Sequence, residues 1–418
     1  MARYPLYAPD FRIKIDGDKI PATLRAAIAS ISYQDGIEGA DRVEVTIAND
    51  NLRWLDHPLL QPDNGFTLSL GYAPDPLEEV FVGEITGVEP TFPNSGMPTI
   101  KIVAHDFLQR LTKGKKDRGF VLNIPSIGVR ALPDPVIAAL ISAENLLIPS
   151  TDPIGGVLSV LLTVAALSAV PSEAQKDAAR QKTSDFSYLT EIAKRNGFEM
   201  YIDHTVEPRG YVLKFRFLMS DFSPSLTLKW GSSLMNFTPR LTTVGDIAGV
   251  TARIWIASLK IALNVIVSWD FDRATFNLKV FPGFDDLTKL IESGDEKAIS
   301  ISGTSPANSI EKILSELLPR LNNRLTGSGG TIGDLRIKAG RVINLENLGE
   351  QFSGLYRITS ATHTLDGSGL RTSFQVRKEV WFGSIPIPRS ASGLLRVQGQ
   401  SVGAGVSGSV GGSLQIGR

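Results

Sequence analysis

The chain of 418 residues contains no cysteine, which excludes disulfides, thiolate nucleophiles and cysteine metal clusters without fixing the compartment. Histidine is scarce: His57, His105, His204 and His363 are the only four, and no two are close in sequence. Neither charge sign is in excess, because Lys plus Arg and Asp plus Glu both number 43. A dedicated nucleic-acid binder is basic overall or carries a basic stripe, so that class is disfavoured. A near-neutral surface also lacks the self-repulsion that opposes large assemblies. The N-terminal MARYPLYAPDFRIKIDG shows no apolar signal region, so export by the general secretory route is not expected.

What is present is an ordinary globular composition, 42 % hydrophobic, over a length that suits about two to four domains. Residues 11 to 112 read as strands. Phe11–Ile15 alternates, Arg42–Ala48 (RVEVTIA) alternates with period two, and Gly65–Tyr72, Val80–Val88 and Thr99–Ala104 continue the pattern between turn-forming Asp-Gly, Pro-Asp and Asn-Ser-Gly joints. Helices are predicted at 133–145 and 183–197, the second with Thr183 or Ser184 as N-cap and Gly197 as its stop. Strands follow at Glu199–Ile202 and Tyr211–Phe217, then from Leu226 through Val250–Ile256 and Ala262–Val267, and again from Leu335 to Val380. A helix at 306–325, ended or kinked near Pro319, interrupts this last series. Residues 386–418 are Gly/Ser-rich with no acidic side chain, and read as a tail ordered only by a partner.

An internal repeat is predicted. Phe81-Val-Gly83-Glu-Ile85 with Gly96 and Thr99 matches Phe352-Ser-Gly354-Leu-Tyr356 with Gly369 and Thr372, the glycine-to-glycine spacings being 13 and 15 residues. Residues 65–104 and 340–376 are therefore expected to be equivalent hairpins of two similar β-domains.

Candidate chemistry is thin. His105 beside Asp106 has the form of a base with its orienter, but no Ser or Cys motif accompanies it, and His363 falls within the repeat. Lys113, Lys115, Lys116 and Arg118 form a basic cluster that reads as a solvated turn before it reads as a phosphate contact. The run 327–333 (GSGGTIG) lacks the Gly-Lys-Ser/Thr ending of a phosphate loop and is expected to be a flexible loop. Asp285 and Asp286 are adjacent, a poor arrangement for a catalytic pair. The uncharged segment 154–170 is at the lower limit for a spanning helix and is read as a buried or subunit-facing helix. No catalytic, cofactor-binding or metal-ligating residue is nominated.

Three blocks resemble the late-control protein D family of phage tail hubs, which includes the hub part of the valine–glycine-repeat spike proteins of type VI secretion. The first is Tyr7-Ala-Pro-Asp10-Phe11, Asp35-Gly36, Gly39-Ala40-Asp41, Gly71-Tyr72, Phe81-Val-Gly83, Glu89-Pro90-Thr-Phe92-Pro93, Gly96 and Ala104-His105-Asp106. The second is Gln181-Lys-Thr-Ser184-Asp185-Phe186-Ser-Tyr188-Leu189 to Gly197. The third is Leu335 to Gly340, Leu348-Gly349, Phe352-Ser-Gly354-Leu-Tyr356 and His363.

The resemblance implies a mainly β fold with an α+β insert. A tail-tube-like β-barrel (1–115) and a second one (226–385, carrying the helix 306–325) flank a mixed middle domain with an apolar helical insert (116–225), and the tail 386–418 follows. It also implies a homotrimer whose six barrels contact a hexameric tail tube above and a spike below. Because the chain stops soon after the second barrel, the spike is expected to be a separate protein. Baseplate wedge proteins are further expected partners, DNA or cargo would occupy the lumen, and membrane contact is not expected. The implied function is a non-enzymatic baseplate hub with no cofactor, assembled in the bacterial cytoplasm and resident in a virion tail or contractile injection particle. The alternatives are a tail-associated cell-wall hydrolase, which needs convergent acidic groups, and an assembly protein anchored through 154–170.

Overall fold

The computed structural model describes residues 7–124, 128–153, 155–157, 159–160, 179–217, 220–242, 249–256, 261–270, 275–282, 298–303, 322–379 and 382. Seven strands open the chain: β1 (Ala8–Ile15), β2 (Asp18–Lys19), β3 (Ile28–Gly36), β4 (Arg42–Ala48), β5 (Gly65–Ala73), β6 (Glu78–Thr91) and β7 (Thr99–Asp106). The alternation that predicts β4 reappears in its burial, where Val43, Val45 and Ile47 point inward between half-exposed neighbours. One element escaped the strand-only reading of this region. Ala22–Ala27 forms a short helix, α1, that follows Pro21 and buries Leu24.

The middle segment contains the small strands β8 (Arg118–Gly119), β9 (Val121–Ile124), β10 (Gly128–Ala131), β11 (Ile148–Thr151), β12 (Arg180–Gln181), β13 (Phe198–Ile202) and β14 (Val212–Phe217). The helices α2 (Asp134–Glu144) and α3 (Asp185–Arg195) pack on them. Helix α3 follows its sequence signals. The Ser184 hydroxyl accepts the Ser187 N–H at 3.3 Å, Asp185 occupies the first turn, Lys194 and Arg195 the last, and Gly197 takes φ +74° just beyond the end. Its apolar stripe, Tyr188, Leu189, Ile192 and Ala193, joins the middle core.

The last region holds β15 (Pro224–Lys229), β16 (Asn236–Leu241), β17 (Gly249–Ile256), β18 (Ile261–Asp270), β19 (Thr275–Pro282), β20 (Ala298–Gly303), β21 (Leu325–Ile332), β22 (Val342–Glu346), a one-turn helix α4 (Gly349–Phe352), β23 (Gly354–Asp366) and β24 (Gly369–Arg377). Strands β17 to β20 form a separate four-stranded sheet that falls between β16 and β21 in sequence.

One 13-stranded sheet runs through both ends of the chain. Its first part has the neighbour order β1-β5-β6-β7-β4-β3, and its second part β15-β22-β23-β24-β21-β16. Leaving out β2 and the inserted strands β17 to β20, the strands that come first, fourth, fifth, sixth, third and second along the chain lie side by side in both. The two differ in one direction: β1 runs antiparallel to β5, whereas β15 runs parallel to β22. The long strand β23 connects the parts. Its residues Gly354–Arg357 pair with β22, while Ser360–Leu365 pair antiparallel with β3.

The residue-level repeat needs correction. Phe81 is a fully buried member of β6, but Phe352 lies in α4, outside β23, and is only half-buried. The two glycines also do different work. A Cβ on Gly83 would stand 2.1 Å from the His105 carbonyl oxygen, so glycine there admits close strand approach, while Gly354 is needed for φ +119°. The positions that do correspond are bulges: Thr86 is the extra residue of β6 against β7, and Thr359 that of β23 against β24.

The run 327–333 is also corrected. Rather than a flexible loop, Gly327 to Ile332 belong to β21, between β16 and β24. Aromatic rings lie against the glycines. A Cβ on Gly327 would be 2.6 Å from the Phe237 ring, and one on Gly329 2.6 Å from that of Phe374. The helix predicted at 306–325 falls outside the described residues up to 321, and Leu325 already begins β21. Asp285, Asp286, the tail 386–418 and most of 154–170 also lie outside the described residues. Among the described residues no helix is long and apolar enough to cross a membrane.

Candidate functional site: a buried carboxylate–histidine cluster

Among the described residues, buried apolar side chains form a cluster from β1 to β7, one from the middle segment, and one from β15 to β24. Polar side chains concentrate where these meet. Asp35 stands near the end of β3, Asp41 just before β4, Asp106 at the end of β7, and His204 in the turn between β13 and β14. Their exposures are 7 %, 5 %, 2 % and 6 %.

Main-chain donors hold the carboxylates. Asp41 Oδ1 accepts the Gly36 N–H at 3.0 Å, and Asp106 Oδ1 accepts that of Leu108 at 3.0 Å. Asp106 Oδ2 accepts the Asp41 N–H at 3.1 Å, and the Asp106 N–H returns to the Asp41 carbonyl at 3.1 Å. Asp35 Oδ2 accepts the Ala339 N–H at 3.0 Å, tying β3 to the loop before β22. The Tyr33 hydroxyl donates to Asp41 Oδ2 at 3.4 Å. His204 lies against the Phe81 ring, 5.4 Å between centroids. Its Nε2 is 3.3 Å from Asp41 Oδ2 and 4.0 Å from Asp106 Oδ2, yet neither ring nitrogen has a hydrogen-bond partner.

Burial sets the electrostatics. It pushes the Asp35 carboxyl up to about 8, with the nearby Asp41 charge adding to the rise. Burial likewise raises Asp41, and for Asp106 burial and then Asp41 raise it. Burial lowers His204 in spite of Asp106. A cavity of about 500 Å³ opens on the cluster, with Asp35, Asp41 and His204 facing Lys214, Arg216 and Lys338. Two aliphatic hydroxyls line it besides the phenols of Tyr33 and Tyr201, but Ser220 donates to the Phe217 carbonyl and Thr205 to Asp203 Oδ1, so neither is activated by His204.

The residues singled out in the sequence separate. Asp106 is buried in the cluster, whereas His105 turns to the other face of β7 and meets the Thr86 hydroxyl at 2.6 Å. His363 is a core histidine. Its Nε2 faces the Ile337 carbonyl at 3.1 Å, its Nδ1 the Thr372 hydroxyl at 2.9 Å, and its ring stacks on Tyr33. Burial pushes it down to about 4. Part of the basic cluster is used internally: Lys116 and Arg118 both bind Asp185, and Arg118 also binds Glu144. His204 was missed because nothing near it in sequence marks it. Its partners come from more than ninety residues away.

A second buried network joins the middle segment to β23 and β24. Glu199 is bound by Arg216 and Arg377, which hold it down at about 2 although burial alone would raise it. Glu379 accepts from Arg357 and Arg377.

No family model matches the chain, and no curated protein matches it in sequence. Solved structures do. The 43 kDa tail protein of prophage MuSo2 from Shewanella oneidensis superposes with a TM-score of 0.58 at 13 % identity, covering 88 % of this chain and 98 % of that one. A tail protein from Neisseria meningitidis gives 0.57 at 11 % identity, covering 90 % and 98 %. An E. coli component of the type VI secretion system, described as structurally similar to the T4 bacteriophage tail proteins gp27 and gp5, gives 0.53 at 11 % identity, covering 90 % and 79 %.

The chain has a phage tail protein fold. The likeness spans nearly its whole length, so the fold takes in the middle segment as well as both ends.

Proposed function

We propose that the chain is a structural hub joining a hexameric tail tube to a trimeric spike in a contractile phage tail or a related injection machine. It works by position and stiffness, with no catalytic step. In this reading the chain comprises tube-like units at 1–115 and 226–385 on either side of a mixed unit at 116–225. The hub resides in the tail baseplate or injection particle and is assembled in the cytoplasm. The observation that carries this reading is the strand order repeated twice within a tail-protein fold. Two like units per chain let three chains present six to a sixfold tube, and a closed ring needs one repeated heterologous contact.

Two free edges support a place for that contact. Beyond its bulge, β6 pairs only with β7 among the described residues, and β16 only with β21. Their counterparts, the later half of β23 and β3, pair with each other inside the chain. Thr86 corresponds to Thr359. Following the ladders through Val43 and Ala104, and through Gly327 and Val376, Tyr33 corresponds to Pro239. The internal register, carried over to two copies, sets Val88 against Leu241, Glu89 against Arg240 and Thr91 against Thr238, all complementary cross-strand pairs. It also sets Pro90 against Pro239. The two prolines remove ladder bonds, leave the contact to side chains, and keep either edge from recruiting other strands.

Because the chain has no cysteine, a Thr91→Cys/Thr238→Cys double variant tests this directly. Mild oxidation should give covalent dimers and trimers and stop at three chains, and each single variant should give no ladder. A ladder that continues past three, or none from the double variant, refutes the ring.

A further inference from the structure

We propose that Asp41, Asp106 and His204 form a binding site for one divalent first-row transition cation of the Zn²⁺ type, which fastens the middle segment to the first β unit. The three residues each offer a ligand atom, all within 4.8 Å of one another. Two ligands about 2.0–2.1 Å from a tetrahedral ion stand about 3.3–3.4 Å apart. The His204 Nε2 to Asp41 Oδ2 separation is 3.3 Å, and Asp106 Oδ2 needs to close from 4.0 Å.

The second observation is the histidine itself. It is 94 % buried by its 6 % exposure, it points at two carboxylates, and neither nitrogen makes a hydrogen bond. A buried imidazole without a partner is costly unless something takes its lone pair. The carboxylates are suited to the same ion. Asp41 Oδ2 and Asp106 Oδ2 each accept one hydrogen bond and keep a further lone pair. One dication would balance the charge of both carboxylates in their ionised form.

The donor set selects the ion. An imidazole with two carboxylate oxygens disfavours Ca²⁺ and Mg²⁺, and the lack of sulfur disfavours soft ions. The main-chain bonds that Gly36, Leu108 and Asp41 donate fix the carboxylates from behind, as outer-shell groups do at protein metal sites. The cavity beside Asp41 and His204 gives the ion an entrance and a place for a water ligand. Asp41 and Asp106 belong to the first β unit and His204 to the β13–β14 turn, so the ion would act as a fastening between them.

The experiment uses the full chain, freed of metal with a chelator and titrated with Zn²⁺ or Co²⁺. One ion per chain, visible d–d bands with Co²⁺ that Zn²⁺ displaces, and a rise in melting temperature are expected. His204→Gln should lose more affinity than the ~10–100-fold that outer-shell changes cost. His57→Gln, which alters the cap of the turn Pro58–Leu60, should leave stoichiometry unchanged. Wild-type protein that folds and takes up no ion overturns the assignment, as does equal binding by folded His204→Gln. If His204→Gln does not fold, X-ray absorption on the zinc-loaded wild type decides, and a spectrum without imidazole scattering refutes the site.

Discussion

Arg357 offers the sharpest test of how the second β unit is held to the middle segment. Its side chain is fully buried, and each of its three nitrogens is hydrogen-bonded. Nε and Nη2 reach Glu379 Oε2 at 3.0 and 2.9 Å, Nη1 the Gly340 carbonyl at 2.8 Å, and Nη2 the Ser220 carbonyl at 2.8 Å. Arg357→Leu leaves Glu379 buried with Arg377 as its remaining partner and strips the two carbonyls of donors. Removing one member of a buried pair costs about 3–5 kcal/mol. A chain of this size unfolds in stages, so a local readout is the sharper one here. The Gly340 N–H bonds the Ile358 carbonyl and the Ile358 N–H the Arg341 carbonyl, both at 2.9 Å. Hydrogen exchange at these amides should speed by roughly 100-fold or more, at about 1.4 kcal/mol per tenfold. Arg357→Lys should lose most of the same protection, because an ammonium cannot span the planar fork. Arg357→Leu/Glu379→Leu should recover part of it, since no half-pair remains. Exchange rates within about fivefold of wild type, equivalent to roughly 1 kcal/mol, would refute the reasoning and mean that water enters the network.

Three further outcomes follow from the geometry. His363 titrates near 4 in the fold and near 6.5 when unfolded, so the unfolded chain binds the extra proton first. Its contribution is constant above pH ~6.5 and falls as pH drops toward 4, by about 3 kcal/mol in total. The acid limb of a stability-versus-pH profile should flatten in His363→Gln. Gly83→Ala drives a methyl to 2.1 Å from a main-chain oxygen and should cost more than the ~1–3 kcal/mol of ordinary overpacking, seen as loss of soluble protein or a lowered melting temperature. Ser184→Ala removes the α3 cap and should cost about 1 kcal/mol by the same melt, with Ser184→Asp close to wild type.

Local pattern carried far in this chain. Strands β4 to β7 and helices α2 and α3 were legible because one face of each is buried, and burial writes a period into the sequence. The β21 glycines defeated the same reading, since their reason lies in rings supplied by Phe237 and Phe374 on neighbouring strands. The repeat was legible as a topology but not as a register, because Phe81 and Phe352 share a spacing and not a place. The cluster could not be read at all. Asp35, Asp41, Asp106 and His204 meet only after the first sheet and the middle segment have packed, and a lone histidine carries no local mark of its partners.

The sharing of β23 between two sheet regions has a mechanical consequence. A strand that pairs with β22 at its start and β3 further along leaves no free linker between the two β units at that junction. A pull along the strand loads the rungs from Ser360 to Leu365 together, in shear, instead of opening them one at a time. Force delivered to one unit therefore passes to the other as through a single beam.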